Sequence, residues 1–195
     1  FLIPFVRVRV YQDSELVAGL RLAIVPVMLG LLAPVGGVLY DRVGARAVTA
    51  AGMALCVAGL AVLYLFLDGK PSDMPLVMLA LAIFGIGQGL FISPNSSAIM
   101  ATAPEELTGE AGSLLNVVRY LGISTGIAGA STLLALGIAD APGSNGITID
   151  ASAATLVFAS RAVILMLGVL AALAGALSLM RAVPRKARGE HAVEL

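Results

Sequence analysis

Five apolar stretches, each long enough to cross a bilayer, constrain this chain more than any other feature. They run from Glu15 to Tyr40, Ala47 to Leu67, Met74 to Ala103, Ala111 to Ala139 and Ala151 to Met180. A helix needs about 20 apolar residues to cover roughly 30 Å of hydrocarbon, whereas a tilted barrel strand needs about 10. Lengths of this kind predict helices, whose backbone groups are satisfied internally. The breaks carry turn and charge signals: Asp41 to Arg46, Asp68-Gly-Lys-Pro-Ser-Asp73, Pro104-Glu-Glu-Leu-Thr-Gly-Glu110 and Asp140-Ala-Pro-Gly-Ser-Asn-Gly146. Composition agrees, with 59% apolar and 12% charged residues and a mean hydropathy of +0.99. The fold class is therefore an all-α integral membrane protein, and a soluble domain is excluded.

Other function classes fall away on residue content. Cationic and acidic side chains balance at 12 each, which gives no basic surface for nucleic acid. Cys56 sits inside an apolar stretch without a second cysteine, and His191, the only histidine, lies in the polar tail. Neither a metal nor a cofactor is expected, nor an enzyme, since no His, Cys or paired-carboxylate constellation falls within the spans. The opening Phe1-Leu-Ile-Pro-Phe-Val lacks an initiator Met and a cleavable signal pattern. It reads as the tail of an earlier helix, Phe1 to Val10, so that residues 1–181 form a truncated membrane bundle and 182–195 a polar tail.

Charge asymmetry orients the spans. With the Asp41 to Arg46 turn in the cytoplasm, alternation puts Lys70 and the Asp140 to Asp150 loop outside. Arg42, Arg46, Arg181, Arg185, Lys186 and Arg188 then all face inward, as positive charge prefers. Arg7 and Arg9 fall on the other side and count against this orientation. The expected location is the plasma (inner) membrane, multi-pass, with a cytoplasmic C-terminus.

The turn after the first span reads Gly37-x-Leu39-x-Asp41-Arg42-x-Gly44-x-Arg46. It resembles, at every fixed position, the G-x-L-x-D-R-x-G-x-R/K loop of major facilitator superfamily transporters. The surroundings are similar to the fourteen-helix drug:proton antiporter branch of that family: Ala18-Gly19-Leu20-Arg21 with Pro26, Gly30 and Pro34 before the loop, then Gly85-x-Gly87-x-Gly89 with Pro94. Gly112-Ser-Leu-Leu-Asn116-x-x-Arg119-x-x-Gly122-x-x-x-Gly126 follows in order. The resemblance implies the C-terminal helical bundle of a transporter, five full helices plus the tail of one more. It also implies that the loop latches this bundle to the other, with Asp41 aimed at a helix N-terminus there.

Physical chemistry gives the same residues separate reasons. Gly44 permits a tight reversal, Gly37 lets a neighbouring backbone approach, and Asp41, Arg42 and Arg46 can form ion pairs that differ between two states. The alternative is a solvated turn whose arginines only set topology. At 100° per residue Gly112, Asn116, Arg119, Gly122 and Gly126 share one face, a polar and small-residue stripe suited to close helix contact. This stripe reads as a sliding contact with the other bundle, with Arg119 paired there in one state; alternatively Arg119 snorkels to the headgroups.

A third set, Phe84, Gln88, Phe91 and Asn95, is spaced four, three and four along Met74 to Ala103. Two amides between aromatic rings make a lining for an amphipathic ligand, beside a helix loosened by Pro94. Packing against a neighbouring helix explains the same pattern. Gly85, Gly89, Ser93 and Ser96 form a separate packing face. Ala47 to Leu67, apolar nearly all round, reads as an outer, lipid-facing helix, and so does Ala151 to Met180 apart from Arg161, an interfacial anchor near the outer surface.

No Asp or Glu lies deep in any span, so a proton-coupling carboxylate would sit upstream, in the other half. The functional expectation is proton-coupled export of an amphipathic small molecule by alternating access, with the lipid bilayer as the only other partner. A carrier of a specific metabolite, or a non-transporting scaffold or sensor on the same fold, remains the alternative.

Overall fold

The computed structural model describes residues 14–68, 70–140 and 152–180. Helix Phe1 to Val10, the Asn145 loop and the arginine-rich tail expected from the sequence lie outside them. Among the described residues the chain forms six α-helices and two single 3-10 turns, with no strand: α1 Glu15–Leu22, α2 Ile24–Val43, α3 Ala45–Phe66, α4 Met74–Met100, α5 Thr108–Ala139 and α6 Ala153–Met180. The apolar stretches thus appear as five spans, with α1 and α2 together making the first. Span boundaries match the expected ones to within about three residues, the usual uncertainty of helix ends.

Local chemistry explains where the helices start and break. Ser14 caps α1 by accepting the Val17 amide on its Oγ at 3.4 Å. The interruption at Ala23 follows from Pro26, which has no N–H to offer the Leu22 carbonyl and whose ring crowds it. Between α2 and α3 a single residue makes the reversal: Gly44, at φ 85° and ψ 159°, a backbone region closed to side chains of L-residues. Pro75 occupies the first turn of α4, where a missing amide costs nothing.

Packing is carried by glycines rather than by bulk. A Cβ on Gly52 of α3 would lie 2.7 Å from the Gly87 carbonyl of α4, and one on Gly87 would lie 2.6 Å from the Gly52 carbonyl. The two backbones touch there. Two turns further along, a Cβ on Gly59 would lie 2.8 Å from the Ala80 carbonyl. On its other side α4 presents Gly85 and Gly89 to the α2 backbone, where a Cβ would lie 2.7 Å from Val25 O and 2.8 Å from Leu29 O respectively. Small residues let helices meet closely where lipid gives no hydrophobic reason to associate. A Cβ on Gly36 of α2 would be tight, 3.1 Å from Gly89 O, while Gly37 has room for one with only Ser93 Oγ at 4.0 Å.

The expectation that Ala47 to Leu67 is an outer helix is corrected by this packing. In α3 Val48, Gly52, Cys56, Gly59 and Leu63 form a buried stripe held between α4 and α6. An all-round apolar helix looks alike whether lipid or other helices surround it, so hydropathy alone could not place it. Near the Asp41 end Thr49 and Ser178 exchange a hydroxyl contact between α3 and α6. Near the other end Leu63, Val77, Leu81, Leu134, Ile138 and Ile164 draw α3 to α6 into one core.

Arg161 ties that end together. Its guanidinium donates to Asp68 and stands 5.7 Å from the Tyr64 ring centroid. Both charged side chains stay more than a third exposed, at 37% and 43%, so the pair contributes only about 0.2–1 kcal/mol. Its role is to align α6 with the end of α3.

The fold also fixes opposite ends for two cations. Arg46 opens α3 and Lys70 follows its far end, separated by a helix of 22 residues, long enough to cross the hydrocarbon. Single cysteines at positions 46 and 70, with Cys56 replaced, are therefore expected to react with an impermeant maleimide from opposite faces, one in intact cells and the other only after the cells are opened. Labelling of both from one face would refute the topology.

Candidate functional site

Three groups of residues carry the functional expectation, and the structure sets them apart. The first is the loop. Asp41, Arg42 and Arg46 are all exposed at the α2–α3 turn, and among the described residues no ion pair joins them. Gly44 holds the turn by donating its amide to the Tyr40 carbonyl at 2.9 Å. The charges are thus presented outward at the turn, free to meet something outside this bundle.

The second is the α5 stripe. Only the last third of α5 packs inward, through Ala130, Leu134 and Ile138, with Gly137 seated on Ala159. Its first half is mostly exposed and touches α4 through few side chains. A Cβ on Gly122 or Gly126 would meet nothing within 4 Å, Asn116 and Arg119 are exposed, and Gly112 has only Met100 Cε at 3.9 Å. Arg119 neither reaches another charge nor runs out to the helix end; its Nη2 donates to Ser96 Oγ on α4 at 3.0 Å. Ser96 in turn donates to the Ile92 carbonyl at 2.8 Å. That contact was not legible in the sequence, where Ser96 read only as a packing residue.

The third is the α4 face. Phe84, Gln88, Phe91 and Asn95 are all half-buried. The backbone at Phe84 and Phe91 abuts α3: their amides lie 2.9 Å from where a Cβ on Gly59 or Gly52 would be, and the Phe84 carbonyl accepts from Cys56 Sγ at 3.7 Å. Gln88 and Asn95 sit further round the helix. Asn95 is engaged in a polar contact.

A cavity of about 570 Å³, unanticipated from sequence, opens beside Phe84. Its walls come from four spans: Leu22, Ala23 and Pro26 at the α1–α2 break, Gly59 of α3, Phe84 of α4 and Leu167 of α6. Every lining side chain is apolar, and the size is that of a small-molecule pocket. The proline break and the small residues were the sequence signals; their convergence was not.

Carboxylates keep to the ends of the spans. Among the described residues Glu15, Asp41, Asp68, Asp73, Glu105, Glu106, Glu110 and Asp140 all lie in loops, caps or terminal turns. The same residues contain no cluster of His, Cys, Asp and Glu that could hold a metal ion.

Comparison with known proteins fits this arrangement of spans. The family profile of the Major Facilitator Superfamily matches residues 11–194. The chain is 35% identical over 140 residues to the riboflavin transporter RibZ of Clostridioides difficile, covering 69% of this chain and 29% of that protein. It is 37% identical over 126 residues to the uncharacterized transporter YebQ of Escherichia coli, covering 65% and 27%. It is 30% identical over 128 residues to the multidrug resistance protein Stp of Mycobacterium tuberculosis, covering 66% and 23%. The chain thus spans less than a third of the length of these relatives. The profile match over nearly the whole chain, on a bundle of five apolar spans joined by a Gly44 turn, places this chain in the Major Facilitator Superfamily of membrane transporters.

Proposed function

We propose that this chain is the C-terminal bundle of a secondary transporter that exports amphipathic small molecules in exchange for protons, by rocking against a second bundle. The observation that carries this reading is the unpartnered α5 face. A half-helix bearing Asn116, Arg119, Gly122 and Gly126, exposed while its own far end is packed, is a surface made for a second helical body. The α2–α3 loop presents Asp41, Arg42 and Arg46 outward at the same end, where a state-dependent charge contact would act as a latch. Transport by two bundles around a central site needs no covalent chemistry. Protons would enter through a carboxylate of the other half. In this reading the protein lies in the plasma membrane with the Asp41 turn and the C-terminus in the cytoplasm.

A second reading, a carrier of one metabolite, is favoured by the similarity to a protein named as a riboflavin transporter. The two are separated by a substrate panel in the full-length protein with abundance controlled. For broad export, Gln88→Ala and Asn95→Ala are expected to lower efflux to a degree that varies with the polar groups of each compound, each lost hydrogen bond being worth about 0.5–1.5 kcal/mol. Phe91→Ala should penalise the more apolar compounds. Equal losses over the whole panel would show that this face packs against a helix and lines no binding site. Transport of a single compound by the unaltered protein would favour the metabolite carrier.

A further inference from the structure

We propose that Arg119 binds a carboxylate of the transported molecule, so that the amphipaths this bundle selects are those carrying an anionic group. The inference rests on the export reading above and deepens it by naming the charge of the substrate.

Arg119 carries its own charge deep in the span. Glu110 marks the polar end of α5, and at about 1.5 Å per residue Arg119 lies roughly 13 Å further along the helix. A cation at this depth is costly unless it is paired or faces a cavity. Its partner, the Ser96 hydroxyl at 3.0 Å, is neutral and leaves the charge uncompensated. α4, the helix it touches, has no titratable side chain between Met74 and Met100, and the described carboxylates all lie at span ends.

The contact with Ser96 also decides where the charge is held. Ser96 draws the guanidinium off the α5 backbone and onto α4, the helix that carries both amides of the candidate binding face. Asn95 is the residue before Ser96, and Gln88 lies about 12 Å further along the same helix. Phe84 follows, on the border of the apolar cavity. Polarity therefore falls along α4 from a cation to amides to an apolar wall, over about 18 Å. That order matches a molecule with an anionic group at one end and an apolar body at the other. A guanidinium has more N–H donors than one hydroxyl can use, and a carboxylate accepts such donors in parallel.

The experiment is equilibrium binding to the purified full-length protein in nanodiscs, with protein-free nanodiscs subtracted. The probes are pyrenebutyrate, pyrenebutyramide and pyrenebutylamine, which share one apolar body and differ in charge. The unaltered protein should bind the carboxylate about 10-fold or more tighter than the amide, and the amine most weakly. R119Q should raise the Kd of the carboxylate by about 10- to 100-fold and that of the amide far less, so that the preference disappears. R119K, which keeps the charge but not the forked geometry, should retain part of the preference; it also carries the test if R119Q does not accumulate. S96A, which removes only the neutral partner, should preserve the order of the probes. A carboxylate-to-amide ratio unchanged by R119Q overturns the inference. Equal weakening of all three probes also overturns it, because the charge then serves the protein's own architecture. If the full-length protein exports no amphipath in proteoliposomes, the export reading falls and this inference with it, whereas a working exporter that binds the three probes alike sinks the inference alone.

Discussion

Gly87→Leu is expected to leave little or no folded protein in the membrane, with Gly52→Leu nearly as severe. At each position a Cβ would collide with backbone of the opposite helix: 2.6 Å from Gly52 O and 2.7 Å from the Cys56 amide for Gly87, 2.7 Å from Gly87 O and 2.9 Å from the Phe91 amide for Gly52. Overpacking usually costs about 1–3 kcal/mol because neighbouring side chains can turn away. Backbone cannot, so α3 and α4 must separate along the whole contact, and the cost should reach about 3 kcal/mol or more. The stripe Val48 to Leu63 would lose its partner at the same time. The matched control is Gly30→Leu, on an exposed position of α2 where a Cβ would meet nothing within 4 Å. Abundance and thermal aggregation in detergent should fall sharply for the first two and stay near the unaltered value for the third. Normal melting of Gly87→Leu would mean that α3 and α4 are not in contact at this level.

Asp41→Asn is expected to do the reverse, sparing the fold and depressing transport of every substrate alike. Among the described residues the Asp41 carboxylate makes no ion pair, and it is exposed, so neutralising it removes nothing from this bundle. Whatever it contributes arises against the other half. A contact present in only one of two states typically couples by about 1–3 kcal/mol, roughly a 5- to 150-fold change in their balance. A uniform fall in efflux within that range, at normal abundance and melting temperature, is the expected result. Losses that differ from compound to compound would move Asp41 from latch to recognition.

Both outcomes depend on features that differed in how far the sequence revealed them. Span number, span ends and the loop charges were readable because crossing a bilayer is a matter of length, and length is one-dimensional. The Gly44 reversal was readable because a one-residue turn between helices at φ 85° admits essentially glycine. Membership of the superfamily followed from residues fixed at short spacing, which local sequence preserves.

Tertiary structure decided which face of each helix meets which neighbour. Inside hydrocarbon, lipid-facing and helix-facing positions have the same polarity, so the pattern that sorts core from surface in a soluble protein is silent. That is why Ala47 to Leu67 was misplaced at the periphery although its glycines make the tightest contact in the bundle. It is also why Gly36, and not its neighbour Gly37, turned out to meet α4. Small residues remain the one local signal, and it is ambiguous: Gly85, Gly87 and Gly89 are filled by α2 and α3, whereas Gly122 and Gly126 face nothing among the described residues. The remaining contacts join residues far apart in sequence, Arg161 to Asp68 and Arg119 to Ser96, and the cavity gathers four spans around a proline break. By itself the sequence determined how many times this chain crosses the membrane and where it turns, because those depend on run length and on single-residue backbone limits. Only the folded bundle decided which glycines are contacts, which arginine is paired and which face is left open, because these depend on distances between segments that no local pattern encodes.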